Sequence, residues 1–119
     1  MYNKVFLIGR LVRDPEMRMT PSGVAVTRFT VAVDKTFKKS EDGQSSADFI
    51  RVVAWRRLAE ICGQYLKKGK LVAVEGRLQV DSYDKDGQKR YSTEVVADNV
   101  QMLDRATAPS TMPGSDEMM

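Results

Sequence analysis

Asp48-Phe49-Ile50-Arg51-Val52-Val53-Ala54-Trp55 is the stretch on which the reading of this chain turns. A period of two places Ile50, Val52 and Ala54 on one face of a strand and Phe49, Arg51, Val53 and Trp55 on the other. The first set is small and aliphatic, as a core face requires. The second interleaves aromatic rings with a cation, a combination that can stack planar groups while neutralising a polyanion.

Working outward, the segment from Arg56 to Lys68 carries Leu58, Ile61, Cys62, Tyr65 and Leu66 at helical spacing. Lys67 and Lys68 fall in its last turn, toward the negative end of the helix dipole, and Gly69 is placed to cap it. Gly63 costs about 1 kcal/mol against Ala inside a helix, which points to close packing there. Upstream, Lys4 to Leu11 is an apolar strand ended by Asp14-Pro15, and Thr20-Pro21-Ser22-Gly23 predicts a hairpin turn into a strand from Val24 to Asp34. The apolar phase passes from Val24 and Val26 to Phe29, Val31 and Val33, which predicts a bulge or barrel corner. Phe37 to Ala47 is polar and predicts a flexible loop.

Downstream, Leu71 to Tyr83 alternates, with Val72, Val74, Leu78 and Val80 on one face and Glu75, Arg77, Gln79, Asp81 and Tyr83 on the other. Asp84-Lys85-Asp86-Gly87 turns this strand into Gln88 to Val100, and Gln101 to Leu103 returns to the body. The chain therefore predicts an all-β fold with one helix. Five strands with the helix between the third and fourth is the order of the OB-fold, a five-stranded barrel, here with a long hairpin between the fourth and fifth strands. The domain is expected over residues 1–104. The Pro, Ser, Thr and Met-rich segment 105–119 is expected to be a disordered tail.

With 119 residues, 42% of them hydrophobic and 29% charged, the chain fits one globular domain. No apolar run approaches the roughly 18 residues of a membrane span, and Met1-Tyr2-Asn3-Lys4 enters a strand with no signal-like segment, so a cytoplasmic location is expected. All 19 Lys and Arg fall within residues 1–105, whereas Asp116 and Glu117 lie beyond, so the folded part is the basic part. The absence of histidine and the single cysteine, Cys62, exclude an internal disulfide, the common zinc ligand sets and a histidine proton relay.

Three near matches to catalytic or ligand motifs fail. Gly63 to Leu71 has five residues between its glycines where a P-loop has four, and no Ser or Thr after the Lys. Ser82 to Thr93 ends in Thr where a calcium loop needs Glu. Asp14 and Glu16 flank Pro15 with no third carboxylate near them. No enzyme, cofactor or metal is expected.

The candidate stacking residues are Phe37, Phe49, Trp55 and Tyr83, each beside cations or on a polar strand face. The candidate phosphate contacts are Lys35, Lys38, Lys39, Arg51, Arg56, Arg57, Arg77 and Arg90, with Lys67, Lys68 and Lys70 beyond the helix. Any base offers a π face, worth about 1–3 kcal/mol when stacked, so binding of this kind does not read sequence. Burial of Phe49 and Trp55 in the core is the competing reading. An RNA-binding barrel, and a protein-interaction module built on the ribbon from Leu71 to Val100, remain open beside single-stranded DNA.

Asn3-Lys4-Val5, Gly9-Arg10-Leu11, Asp14-Pro15-Glu16, Asp48 to Val53, Leu58-Ala59-Glu60, Tyr65-Leu66-Lys67-Lys68-Gly69, Glu75-Gly76-Arg77-Leu78 and Arg90-Tyr91-Ser92-Thr93-Glu94-Val95 follow one another in an order and spacing that resembles the bacterial single-stranded DNA-binding protein (SSB) family. The resemblance covers roughly residues 1–104. It implies an OB-fold that assembles, usually as a homotetramer, and holds single-stranded DNA during replication, recombination and repair. The family's stacking positions fall on Phe37, Phe49, Trp55 and Tyr83. Relatives often carry basic residues before the last aromatic, where this chain has Gln79-Val80-Asp81-Ser82. They also end in a long linker with an acidic tip closing in Pro-Phe, which docks partner proteins. Here a short tail ends Asp116-Glu117-Met118-Met119, so tail-mediated partners are not implied. A short accessory paralogue serving DNA uptake is the alternative within the family.

Overall fold

The computed structural model describes residues 1–39 and 45–104; the expected tail and the centre of the expected loop lie outside the described residues. The elements run β1 (Val5–Leu11), β2 (Glu16–Met19), β3 (Ala25–Lys39), β4 (Ser45–Trp55), α1 (Arg56–Tyr65), β5 (Leu71–Lys85) and β6 (Gln88–Met102). The sheet order is β1-β5-β6-β4-β3-β2, and a further β1–β3 pairing at Arg10↔Ala32 and Leu11↔Val31 closes β1, β5, β6, β4 and β3 into a five-stranded barrel. All pairs are antiparallel except β4 with β6, which run parallel at Val52↔Val95 and Val53↔Val96. This is the expected OB-fold architecture. The short β2, all of it exposed, extends β3 at the barrel's edge and forms the predicted hairpin across Thr20 to Gly23.

One face of each barrel strand supplies the core. Leu11, Ala25, Phe29, Val31, Val52, Ala54, Val72, Val74, Val95 and Ala97 are buried together, and Ala59, Cys62 and Leu66 close the barrel from α1 and its C-terminal cap. Each fully buried valine contributes about 1.5–3 kcal/mol of transfer free energy. Thr27 is the buried polar residue among them. Its Oγ1 donates to the Ala59 carbonyl at 2.6 Å and ties β3 to α1.

Four expectations are corrected. Of the bulge or barrel corner expected at the phase change in β3, the bulge is absent, because pairing with β4 is continuous from Val26↔Trp55 to Asp34↔Ala47 and the irregularity comes later, between Asp34 and Lys39; β3 does pass there from pairing with β2 to pairing with β1. Val26 faces away from the core and packs in a separate cluster with Val53 and Val96. The polar loop is shorter than expected. β3 continues to Lys39 and β4 begins at Ser45, since backbone pairing in a ribbon does not need apolar side chains.

The helix ends at Tyr65, not Lys68. Leu66 turns extended (φ −82°, ψ 147°), keeping a bond from its N–H to the Cys62 carbonyl, and buries its side chain. Lys67 and Lys68 therefore lie in a turn and not on the helix dipole. Tyr65, at the right spacing for the core, is 52% exposed. Gly63 does mark a close approach, since a Cβ there would come within 2.9 Å of Met17 Sδ on β2.

β5 and β6 leave the barrel as a ribbon. From Arg77 to Tyr91 every side chain is exposed, and the two-residue turn Asp86-Gly87 takes positive φ at both positions (54° and 77°), the hairpin geometry that matches strand twist. The apparent calcium loop is this turn.

Candidate nucleic-acid interface

The outer surface of the β3-β4-β6-β5 wall is one continuous face. Its residues on β4 are Phe49, Arg51, Val53 and Trp55, opposite the buried Val52 and Ala54. Phe49 is 69% exposed and Trp55 41%, which excludes burial of these rings in the core of the chain. Arg51 projects between them, exposed and with no carboxylate partner among the described residues. Cross-strand partners on β3 are Ala32 to Phe49, Thr30 to Arg51, Arg28 to Val53 and Val26 to Trp55.

By register, the same face continues through Val96 and Glu94 on β6 to Arg90, which is the direct partner of Tyr83 on β5. Tyr83 is 49% exposed. The ribbon aromatic therefore has a cation beside it. Arg90 supplies that cation from the paired strand, where Gln79 to Ser82 carry none.

The remaining predicted residues divide by pairing. Lys35 is exposed but held by Asp48 at 2.6 Å, and Arg77 by Asp98 at 2.9 Å. Arg56 and Arg57 open α1 immediately after Trp55, exposed, and line a shallow hollow with Gly23, Val24, Ala25 and Glu60. Lys67, Lys68 and Lys70 lie in the turn before β5, where the Lys68 N–H donates to Asp14 Oδ1 at 2.9 Å. The backbone of Phe37, Lys38 and Lys39 belongs to the end of β3, and their side chains lie outside the described residues.

Two features of this face escape sequence reading. Arg28 Nε and Glu94 Oε2, 3.1 Å apart, link β3 to β6 across β4 on the outer side, and help to bury the outward-facing Val53. Arg28 and Thr30 alternate with the buried Thr27, Phe29 and Val31, so their phase was legible, but their closeness to Arg51 depends on the pairing register.

Burial on the inner face of α1 pushes the Cys62 thiol from 9.0 up to about 12, so it stays protonated near neutrality. Among the described residues no group of three or more His, Cys, Asp or Glu is placed to hold a metal ion, and no helix is long and apolar enough to cross a membrane.

Comparison with known proteins agrees with this geometry. Single-stranded DNA-binding protein 3 of Clostridium acetobutylicum is 50% identical over 117 residues, which cover 97% of this chain and 80% of that protein. A single-stranded DNA-binding protein of Streptococcus pneumoniae is 55% identical over 105 residues, 87% of this chain and 67% of the relative. One from Clostridium tetani is 54% identical over 104 residues, 86% and 70% of the respective chains. The model of the single-strand binding protein family matches residues 2–103, and the chain, with its closed barrel and exposed aromatic strand, belongs to that family.

Proposed function

We propose that this chain binds single-stranded DNA without reading its sequence and protects it during replication, recombination and repair. The observation that carries the reading is the exposed series Phe49, Arg51, Trp55 on the face of β4 opposite its core residues. Duplex DNA hides its base faces, whereas a single strand can lay successive bases on rings and its phosphates on neighbouring guanidiniums. Trp55 and Phe49 stack bases on the barrel wall, and Tyr83 with Arg90 extends the path along the ribbon. Phe37, Lys38 and Lys39 add to it at the far end of β3. Arg51, Arg56, Arg57 and Arg90 stand near these rings and are free to meet phosphate, since each lacks a carboxylate partner among the described residues, as do Lys67 and Lys68 farther along the chain. Lys35 and Arg77 contribute less, being already paired.

The protein acts as a homotetramer in the cytoplasm, as a binding protein with no catalytic centre. Support for assembly comes from apolar side chains left on the surface: Phe6 and Ile8 on β1, and Leu78, Val80 and Tyr91 on one side of the ribbon. Sedimentation of the free chain tests this, and a monomer at micromolar concentration would contradict it.

Competition tests the ligand class. Labelled oligo-dT should be displaced by unlabelled oligo-dT and hardly by an equal mass of duplex, and the loss of slope in log K against log salt should be about 0.7 per phosphate contact removed. Equal displacement by duplex contradicts the reading, and preferential displacement by a matched RNA moves it to RNA.

A further inference from the structure

Beside the aromatic strand a recess of about 200 Å³ opens on the outer face, lined by Arg13, Arg28, Arg51, Thr30 and the otherwise buried Phe29, together with Asp14 and Glu16. The β1–β2 connection that supplies Arg13 is pinned on both sides of it. The Val12 N–H donates to the Thr30 carbonyl at 3.1 Å, and Asp14 Oδ1 accepts the Lys68 N–H at 2.9 Å. Thr30 and Arg51 are direct cross-strand partners, and Arg28 lies two residues back on the same face.

Asp14 and Glu16 are also part of that lining, so three guanidiniums meet two carboxylates there. Asp14 is engaged by the Lys68 backbone, and Glu16 is drawn toward Arg18 at 3.9 Å. Glu94, only 14% exposed, holds Arg28. Arg13 and Arg51 are left without a carboxylate partner among the described residues. Two unpaired guanidiniums and a hydroxyl around a concave, solvated space suit one tetrahedral anion, because the guanidinium fork matches phosphate oxygens in geometry as well as charge.

We propose that this recess is a phosphodiester subsite in which Arg13 and Arg51 hold one backbone phosphate of the strand stacked on Phe49 and Trp55, and that Glu94 restrains it by offsetting the charge of Arg28 beside the phosphate. The inference rests on the single-strand reading above and adds where the DNA backbone is gripped. Arg51 belongs to both the aromatic path and the recess, so the gripped phosphate adjoins the stacked bases. Only Arg28 Nε is bonded to Glu94, so its NH2 groups stay able to donate, and the carboxylate opposes the ligand by offsetting the Arg28 charge beside it.

The two halves predict opposite changes. In full-length protein, titration with oligo-dT across a salt series should show Arg13→Gln binding about tenfold more weakly at low salt, with a log–log slope shallower by about 0.7. Glu94→Gln should bind several-fold more tightly with a steeper slope, because the charge of Arg28 is no longer offset. Arg28→Gln breaks the same ion pair without freeing a cation and should not tighten binding, which separates release of charge from loosening of the fold. Wild-type affinity and slope in Arg13→Gln would overturn the subsite while leaving single-strand binding intact. Unchanged or weaker binding by Glu94→Gln would overturn the restraint. Failure of the wild type itself to bind oligo-dT would remove the underlying reading and the subsite with it.

Discussion

Arg56 should be replaceable by glycine with a gain in stability and a loss of binding. The chain passes from β4 into α1 with no loop: Ala54 is fully buried at one side and Ala59 at the other, and Trp55 is still extended at φ −121°, ψ 152°. The whole reversal falls on Arg56, which takes φ 60°. A side chain in that left-handed region costs about 1–2 kcal/mol, and strain of this kind is commonly retained where a residue has another task. Arg56→Gly removes the steric cost but gives the unfolded chain more freedom, an offset of up to about 1 kcal/mol.

The net gain is then up to about 2 kcal/mol, centred near 1, and a domain of this size shifts by roughly 4–8 °C in Tm per kcal/mol. Arg56→Ala is the control, since it discards the guanidinium and keeps the Cβ. Thermal melts followed by circular dichroism at one fixed protein concentration, which holds any assembly contribution constant, should rank Arg56→Gly above both Arg56→Ala and wild type. Both variants should bind oligo-dT more weakly and to a similar extent. A glycine variant that melts at or below the alanine variant would refute the assignment of strain to this turn.

Thr27→Val should lower stability by about 1 kcal/mol, measured by urea unfolding. It removes the 2.6 Å bond to the Ala59 carbonyl, while that carbonyl retains its acceptor role inside α1. The Cys62 thiol predicts a pH dependence of definite sign. Its folded pKa of about 12 lies above the ordinary 9.0, so the stability it contributes is fully present below pH 9 and declines as pH rises toward 12, when only the unfolded chain releases the proton. Comparison of unfolding free energies over that range should show a steeper fall for wild type than for Cys62→Ala.

What was legible in the sequence followed local period. β4 could be read because aliphatic residues hold the even positions from Ile50 to Ala54 and Phe49, Arg51 and Trp55 the odd ones, Val53 excepted; Val52 and Ala54 are buried in the core and Ile50 packs against it. The Asp86-Gly87 turn was legible because only a few residues tolerate positive φ twice in succession. β2 was not, since Glu16–Met19 has no buried side and exists as a strand only through its pairing with β3. The helix end was hidden because Tyr65 has core-like spacing, yet Leu66 enters the core by leaving the helix. For the site, phase identified the exposed rings, whereas Arg90 beside Tyr83 and the Arg28–Glu94 link depend on which strands pair and in what register. Residues 66 apart in the chain leave no mark of their proximity in periodicity.

Trp55 is the only tryptophan, so the emission reports from one residue of the proposed stacking surface. Titration of the protein with oligo-dT should quench that emission to saturation, and an equal mass of duplex should leave it nearly unchanged. Oligo-dT binding that is evident by sedimentation but leaves Trp55 emission unaltered would contradict the central claim that single-stranded DNA stacks on this face.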